Sequence, residues 1–124
     1  MDFNLMASKF GNQDAVIVAE TGDTISYNEF NERSLRYARW LVRHGLSFGD
    51  HVAVIMDNVP DFLIACSAAL RCGLYFTPVN THLTPAEAAY IIRDCGAKAL
   101  LLSAAMADFA ESLGDDLPTN VEVL

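Results

Sequence analysis

The sequence predicts an α/β domain: a three-layer α/β/α arrangement around a mostly parallel sheet, with an antiparallel hairpin at its start. Three observations carry this. Short apolar runs ("HVAVIM", "LYFTPV", "AKALLLS") alternate with helix-length amphipathic segments. The first of those runs is almost continuously apolar, as a strand covered on both faces must be. The connections between runs are long enough for a helix, and parallel neighbours need such crossovers, which are right-handed.

The elements follow in chain order. The opening "MDFNLMASKF" carries an acid at Asp2 and no basic flank before a long apolar region, so it does not read as a secretory signal. "AVIVAETGDTISY" reads as two β-rich runs around Thr21-Gly22-Asp23, an antiparallel hairpin with glycine in the turn. In "SYNEFNERSLRYARWLVRHG", Ser26 and Glu29 have the spacing of a capping box, which contributes on the order of 1 kcal/mol. Glu29 with Arg33 and Glu32 with Arg36 are i,i+4 pairs in the favourable order. Phe30, Ala38, Leu41 and Val42 lie near one face and are expected to be buried, and Gly45 ends the helix. Arg33, Arg36, Arg39 and Arg43 could form a phosphate-binding patch, but a solvated helix face is preferred because two of them have glutamate partners.

"HVAVIM" is the first buried strand, and "NVPDFLIACSAALRCG" a helix capped by Asn58, with Pro60 in its first turn and Gly73 past its end. "LYFTPV" is a strand with Pro78 near its end, where a lost amide donor is tolerable. Thr84, Pro85 and Glu87 form a capping box with proline at the first helical position, starting the helix "TPAEAAYIIRDCG". Asn80, Thr81, His82 and Leu83 are the strand-to-helix loop between them, on the carboxyl side of a parallel strand. Ligands bind at such ends, which makes Asn80 and His82 candidates to approach one. "AKALLLS" is a strand, "AAMADFAESLG" a helix, "GDDLPT" a loop and "NVEVL" a final strand. A sequence stopping on an apolar strand with no covering helix is expected to be part of something longer.

Composition narrows the function classes. The 124 residues suit one domain or part of one, and 52% apolar against 19% charged residues argues against disorder. Eight basic and 16 acidic residues give a net charge of -8, which repels nucleic acid and anionic membranes, and no Lys/Arg cluster offsets it. The longest uncharged apolar stretches, Phe62 to Leu70 and Ala99 to Ala107, are far too short to span a membrane, and a cytoplasmic location is expected. Cys66, Cys72 and Cys95 match no zinc or redox spacing and read as reduced packing residues.

Much recognisable chemistry is missing. No GxxxxGK[ST], GxGxxG or GxSxG occurs, and His44, His51 and His82 are scattered. Asp115 and Asp116 read as a solvated pair rather than a metal site. Asp57 follows a strand where a receiver-type phosphoacceptor would stand. Lys98, however, begins its strand instead of ending one, and Asp57 reads better as a strand-end polar residue leading into the Asn58 cap.

Three segments together carry a resemblance. The first is "TISYNEFNERSLRYARWLVRHGLSFGDHVAVIM", with Thr24, Tyr27, Glu29, Phe30, then Gly45, Gly49 and Asp50. The others are "DNVPDFLIACSAAL" and "ALRCGLYFTPVNTHLTPAEAAYIIRDCGAKALL". In this order they resemble the opening of the adenylate-forming (AMP-binding) enzymes, the acyl-CoA synthetase and luciferase group. "PVNTHLT" is more similar to the fatty-acyl and aryl-CoA ligases than to amino-acid-activating modules. The resemblance implies a parent enzyme that uses ATP, with Mg²⁺, to convert a carboxylic acid to an acyl-adenylate, and coenzyme A to accept the acyl group. It also implies that residues 1–124 are the N-terminal subdomain portion of the large domain, ending before the family's Ser/Thr/Gly-rich phosphate loop. No catalytic, cofactor-binding or metal-ligating residue is therefore assigned within them, and by themselves they are expected to be an inactive scaffold that needs no cofactor. The competing reading is a stand-alone flavodoxin-like binding or interaction module. Self-association through the unpaired edge of the last strand, as a homo-oligomer, is a further expectation.

Overall fold

The computed structural model describes residues 2–118 and 121–123. Helix α1 (Phe3–Phe10) is followed by strands β1 (Asp14–Ile17) and β2 (Thr24–Ser26), then helix α2 (Tyr27–Arg43). There follow β3 (His51–Ile55), α3 (Pro60–Arg71), β4 (Tyr75–Pro78), α4 (Pro85–Asp94), β5 (Ala99–Leu102), α5 (Ala107–Leu113) and β6 (Glu122–Val123). β1 and β2 form the antiparallel hairpin, with a bulge between Asp14 and Val16. The main sheet has the order β4-β3-β5-β6, and every pair in it is parallel. Of the expected final strand "NVEVL", Asn120 and Leu124 lie outside the described residues, as does Thr119 of the loop before it.

Burial divides along the two faces of β3, because successive strand residues point to opposite sides. Val52 and Val54 pack with Ala38 and Leu41 of α2 and Ala65, Ala68 and Ala69 of α3. Ala53 and Ile55 pack with Ala88, Ala89 and Ile92 of α4 and Ala110 and Leu113 of α5. Helices α2 and α3 thus cover one face, α4 and α5 the other, which is the expected layering. Alanine predominates at the helix–sheet contacts, so the helices sit close against the strands.

Local rules explain most boundaries. In α4 the Thr84 hydroxyl accepts from the Glu87 amide at 3.3 Å, while the Glu87 carboxylate accepts from the Thr84 amide at 2.8 Å. Gly45 and Gly73 adopt φ of 85° and 67° just past the ends of α2 and α3, where a left-handed residue lets the last carbonyls find partners. Pro78 lies in β4, an edge strand, in register with Val54.

Several expectations need correction. Helix α1 was legible but unassigned: the Asp2 carboxylate accepts from the Leu5 amide at 3.0 Å, and Gly11 closes the other end. Asn58 is not the cap of α3. Pro60 occupies the first helical position, so the capping place falls to Val59, whose side chain has no acceptor. At α2 only half of the expected box forms: Ser26 accepts from Glu29, but Glu29 turns to Arg33 at 3.8 Å. The pair Glu32–Arg36 does not close within 4 Å. Val42 is 56% exposed, because the buried stripe runs through Ser34, Ala38 and Leu41 and Val42 lies at its margin. The helix after β5 begins with a 3-10 turn over Ala104–Met106.

Candidate ligand crevice

The topology marks one place as special. From β3 the chain rises through α3 to β4 on one side. From β5 it leaves on the opposite face through α5 to β6. The connections after two adjacent parallel strands therefore diverge, leaving a gap beyond their carboxyl ends, and open α/β sheets bind ligands at such a switch point. A crevice of about 490 Å³ opens there, lined by Met56 after β3, by Leu102, Ser103 and Ala104 at the end of β5, and by residues of α2 and α3.

Its floor is tied together. The Ser103 hydroxyl donates to the Asp57 carboxylate at 2.7 Å, and the Ser103 amide donates to the Ile55 carbonyl at 3.4 Å. These bonds join the loops that follow β3 and β5 across the gap. Asp57 is thus a fastener between strand ends, and not the lead-in to a cap.

The wall comes from α2, where positions 33, 36, 37 and 40 fall on one side by their three- and four-residue spacing. Arg33 donates to the Asp61 carboxylate at 2.5 Å and lies 3.8 Å from Glu29. Tyr37 and Trp40 stack with centroids 5.3 Å apart and planes 13° apart, and His44 continues the ladder 4.2 Å from Trp40. The Tyr37 phenol is pushed up to about 12, chiefly by burial, with the negative charge of Asp61 adding to it. Arg36 lines the same wall and makes no ion pair among the described residues.

The four arginines considered from the sequence thus separate. Arg33 and Arg36 border the crevice, whereas Arg39 and Arg43 flank a shallow groove with Val42, Arg71 and Cys72. They do not form a single patch. Tyr37, Trp40, Asp61 and Ser103 were not singled out from the sequence. The signal for them was the i,i+3 and i,i+4 spacing on α2, the first-turn position of Asp61 in α3 and the strand-end position of Ser103.

Asn80, Thr81 and His82 are elsewhere. The Asn80 side-chain oxygen accepts from the His82 amide at 2.8 Å, a local turn that leaves Asn80 and His82 exposed and outside the crevice lining. Burial raises the Cys66 and Cys72 thiols, as suits packing residues. At the opposite end of the sheet, the Lys98 ammonium meets the Asp50 carboxylate at 2.9 Å and His51 stacks on Tyr75 at 4.8 Å.

Magnesium–nucleotide binding asks for oxygen donors converging on the metal and amides or a lysine around the phosphates. Among the described residues no three His, Cys, Asp or Glu side chains converge, and no glycine-rich phosphate loop is present. These residues do not fit that group. Nor, among the described residues, is any helix long and apolar enough to cross a membrane.

Comparison with known proteins agrees with the fold. A family model described as AMP-binding enzyme matches residues 3–123. A 3-hydroxybenzoate/4-hydroxybenzoate–CoA ligase of Thauera aromatica is 28% identical over 119 residues, 96% of this chain and 22% of the ligase. A nonribosomal peptide synthetase of Ceriporiopsis subvermispora is 35% identical, but over 65% of the chain and 3% of its own length. The structure of a fatty acyl CoA synthetase from Mycobacterium tuberculosis superposes with a TM-score of 0.88 at 26% identity, covering 98% of this chain and 24% of that one. The chain therefore spans roughly a fifth to a quarter of the CoA ligases it matches. With a family model spanning nearly all of it, residues 3–123, the chain belongs to the AMP-binding enzyme family.

Proposed function

We propose that residues 1–124 are the N-terminal portion of the large domain of an acid–thiol ligase. The parent enzyme would activate a carboxylic acid with ATP to an acyl-adenylate and pass the acyl group to coenzyme A. Within it this segment is a scaffold: it supplies a parallel sheet and its covering helices and leaves the phosphate-contacting groups to other parts of the enzyme. The observation supporting this reading most is one of extent, since nearly the whole chain aligns with about a fifth of a CoA ligase.

The test is pyrophosphate release from ATP by the purified chain, offered aliphatic and aromatic acids with Mg²⁺ and coenzyme A. No release above the enzyme-free rate is expected, and sustained turnover would overturn the scaffold assignment. Sequencing the gene beyond Leu124 tests the parentage separately. A Ser/Thr/Gly-rich loop with a lysine downstream supports it, whereas a stop codon favours the stand-alone module.

A further inference from the structure

We propose that a second cavity, bordered by α1, β1, α2 and α3, binds a small uncharged molecule, largely apolar with one hydrogen-bonding group, such as a cyclic alcohol. The cavity measures about 260 Å³ and shares no lining residue with the crevice. An apolar cavity of roughly 150 Å³ already admits a benzene ring, so a six-membered ring with one substituent fits here. Phe3 and Met6 of α1, Phe30 of α2 and Leu63 of α3 give it apolar walls. The hairpin completes it. Neighbouring strand residues point to opposite faces, yet Ala15 and Val16 both border the cavity. The bulge between Asp14 and Val16 accounts for this, because an extra residue re-aims the side chains around it.

One buried group points to the ligand. Ser67 stands among the buried residues of α3 and is itself only 8% exposed. Among the described residues its hydroxyl takes part in no hydrogen bond, whereas every fully enclosed side-chain polar atom has a partner. The Ser67 oxygen therefore faces open space, and the space that it borders is this cavity. A ligand hydroxyl or carbonyl there would satisfy a group that the fold leaves unpaired. The Tyr27 phenol is the second polar group on the border. No charged side chain lines the cavity, so a charge carried into it would lose water with nothing opposite. Arg71 lies 4.8 Å from the centroid of the Phe3 ring, but it directs its donors to Ser34 and Asn31.

Two of the four methionines make the test specific. Met6 borders this cavity and Met56 borders the crevice, so ¹³C-labelled methionine methyls report on both in one spectrum. The chain is titrated with cyclohexanol and with cyclohexanecarboxylate, without ATP or coenzyme A, so the outcome is separate from the ligase reading. Cyclohexanol is expected to move the Met6 methyl saturably, with a midpoint at or below about 10 mM, which a ligand of that size at ordinary efficiency supplies. The Met56 methyl is expected to stay in place. Cyclohexanecarboxylate should bind about tenfold or more weaker, because its charge finds no partner. Ser67→Ala should weaken cyclohexanol about three- to tenfold, the range of one neutral hydrogen bond. Ser67→Leu, which fills the space, should abolish the saturable shift while the Met56 methyl keeps its position as the sign of an intact fold. A Met6 methyl with no saturable response, or with a midpoint above that concentration, overturns the proposal. So do a Met56 methyl moving with the same midpoint, equal affinity for the carboxylate, or cyclohexanol binding indifferent to Ser67→Ala.

Discussion

The Ser103 hydroxyl and the Asp57 carboxylate meet at 2.7 Å across the carboxyl ends of β5 and β3, 46 residues apart in the chain. This bond closes the gap that the diverging connections open. A half-buried hydrogen bond to a charged group contributes about 1.5–3 kcal/mol. Ser103→Ala should therefore lower the free energy of unfolding by about 1–2 kcal/mol, measured by urea denaturation. In a double-mutant cycle with Asp57→Asn, additive losses would contradict a direct coupling.

Gly73 lies against the ring of Phe48. Its φ is 67°, and a Cβ added there would run into the Phe48 ring. Gly73→Ala should cost about 1–3 kcal/mol, part strain and part collision. Phe48 is 87% exposed, so its ring can give way in part and backbone strain is the larger share of that cost. Combining Gly73→Ala with Phe48→Ala should recover the collision and leave about 1 kcal/mol of backbone strain. Full recovery in the double variant would refute the conformational part.

Asp50 ties the start of β3 to β5. Its carboxyl is held below the usual carboxylate range first by the Ser47 amide, which donates at 2.9 Å, and then by the Lys98 ammonium. Because the folded value is the lower one, the stabilisation is present above the unfolded carboxylate pKa and disappears as the pH falls through the folded value. Asp50→Asn should flatten the acid limb of a stability–pH profile, and Lys98→Met should flatten it less. An unchanged acid limb in Asp50→Asn would contradict the assignment.

Tyr37 makes the opposite prediction at high pH. Burial raises its phenol from 10.0 to about 12, so its contribution is complete below the unfolded value and is lost as the pH rises through the folded one. Ultraviolet titration should find one of the four tyrosines ionising late. Tyr37→Phe should abolish that late step and the matching loss of stability between those two pH values.

The two helix starts after prolines can be exchanged in quality. Thr84→Ala removes the hydroxyl half of a formed box and should cost about 1 kcal/mol in thermal or urea melts. Val59 holds an extended backbone at the capping place of α3, φ -117° and ψ 155°, with no side-chain acceptor. Val59→Thr, nearly the same shape, should gain about 0.5–1 kcal/mol. A loss in Val59→Thr would mean that the packing of the valine methyl outweighs the cap.

What could be read in advance was whatever depends on neighbours along the chain. The alternation of apolar runs and amphipathic segments determined the strands and helices. Thr84, Pro85 and Glu87 determined the start of α4, because a capping box closes within one turn. The order of the three segments from Thr24 to Leu101 was enough to indicate the family. Misreadings fell where two local rules competed, as at Asn58, displaced from its capping role by Pro60, and at Glu29, drawn to Arg33 instead of to its own helix start. The crevice belongs to another class of information. Arg36, Trp40, Asp61 and Ser103 lie on three different elements and share no local pattern. Only the strand order β4-β3-β5-β6, and the opposite departures of α3 and α5, bring them to one opening. Local chemistry determined the pieces of this protein, and the tertiary structure decided where a crevice opens among them, because that opening is made by the divergence of connections distant in sequence.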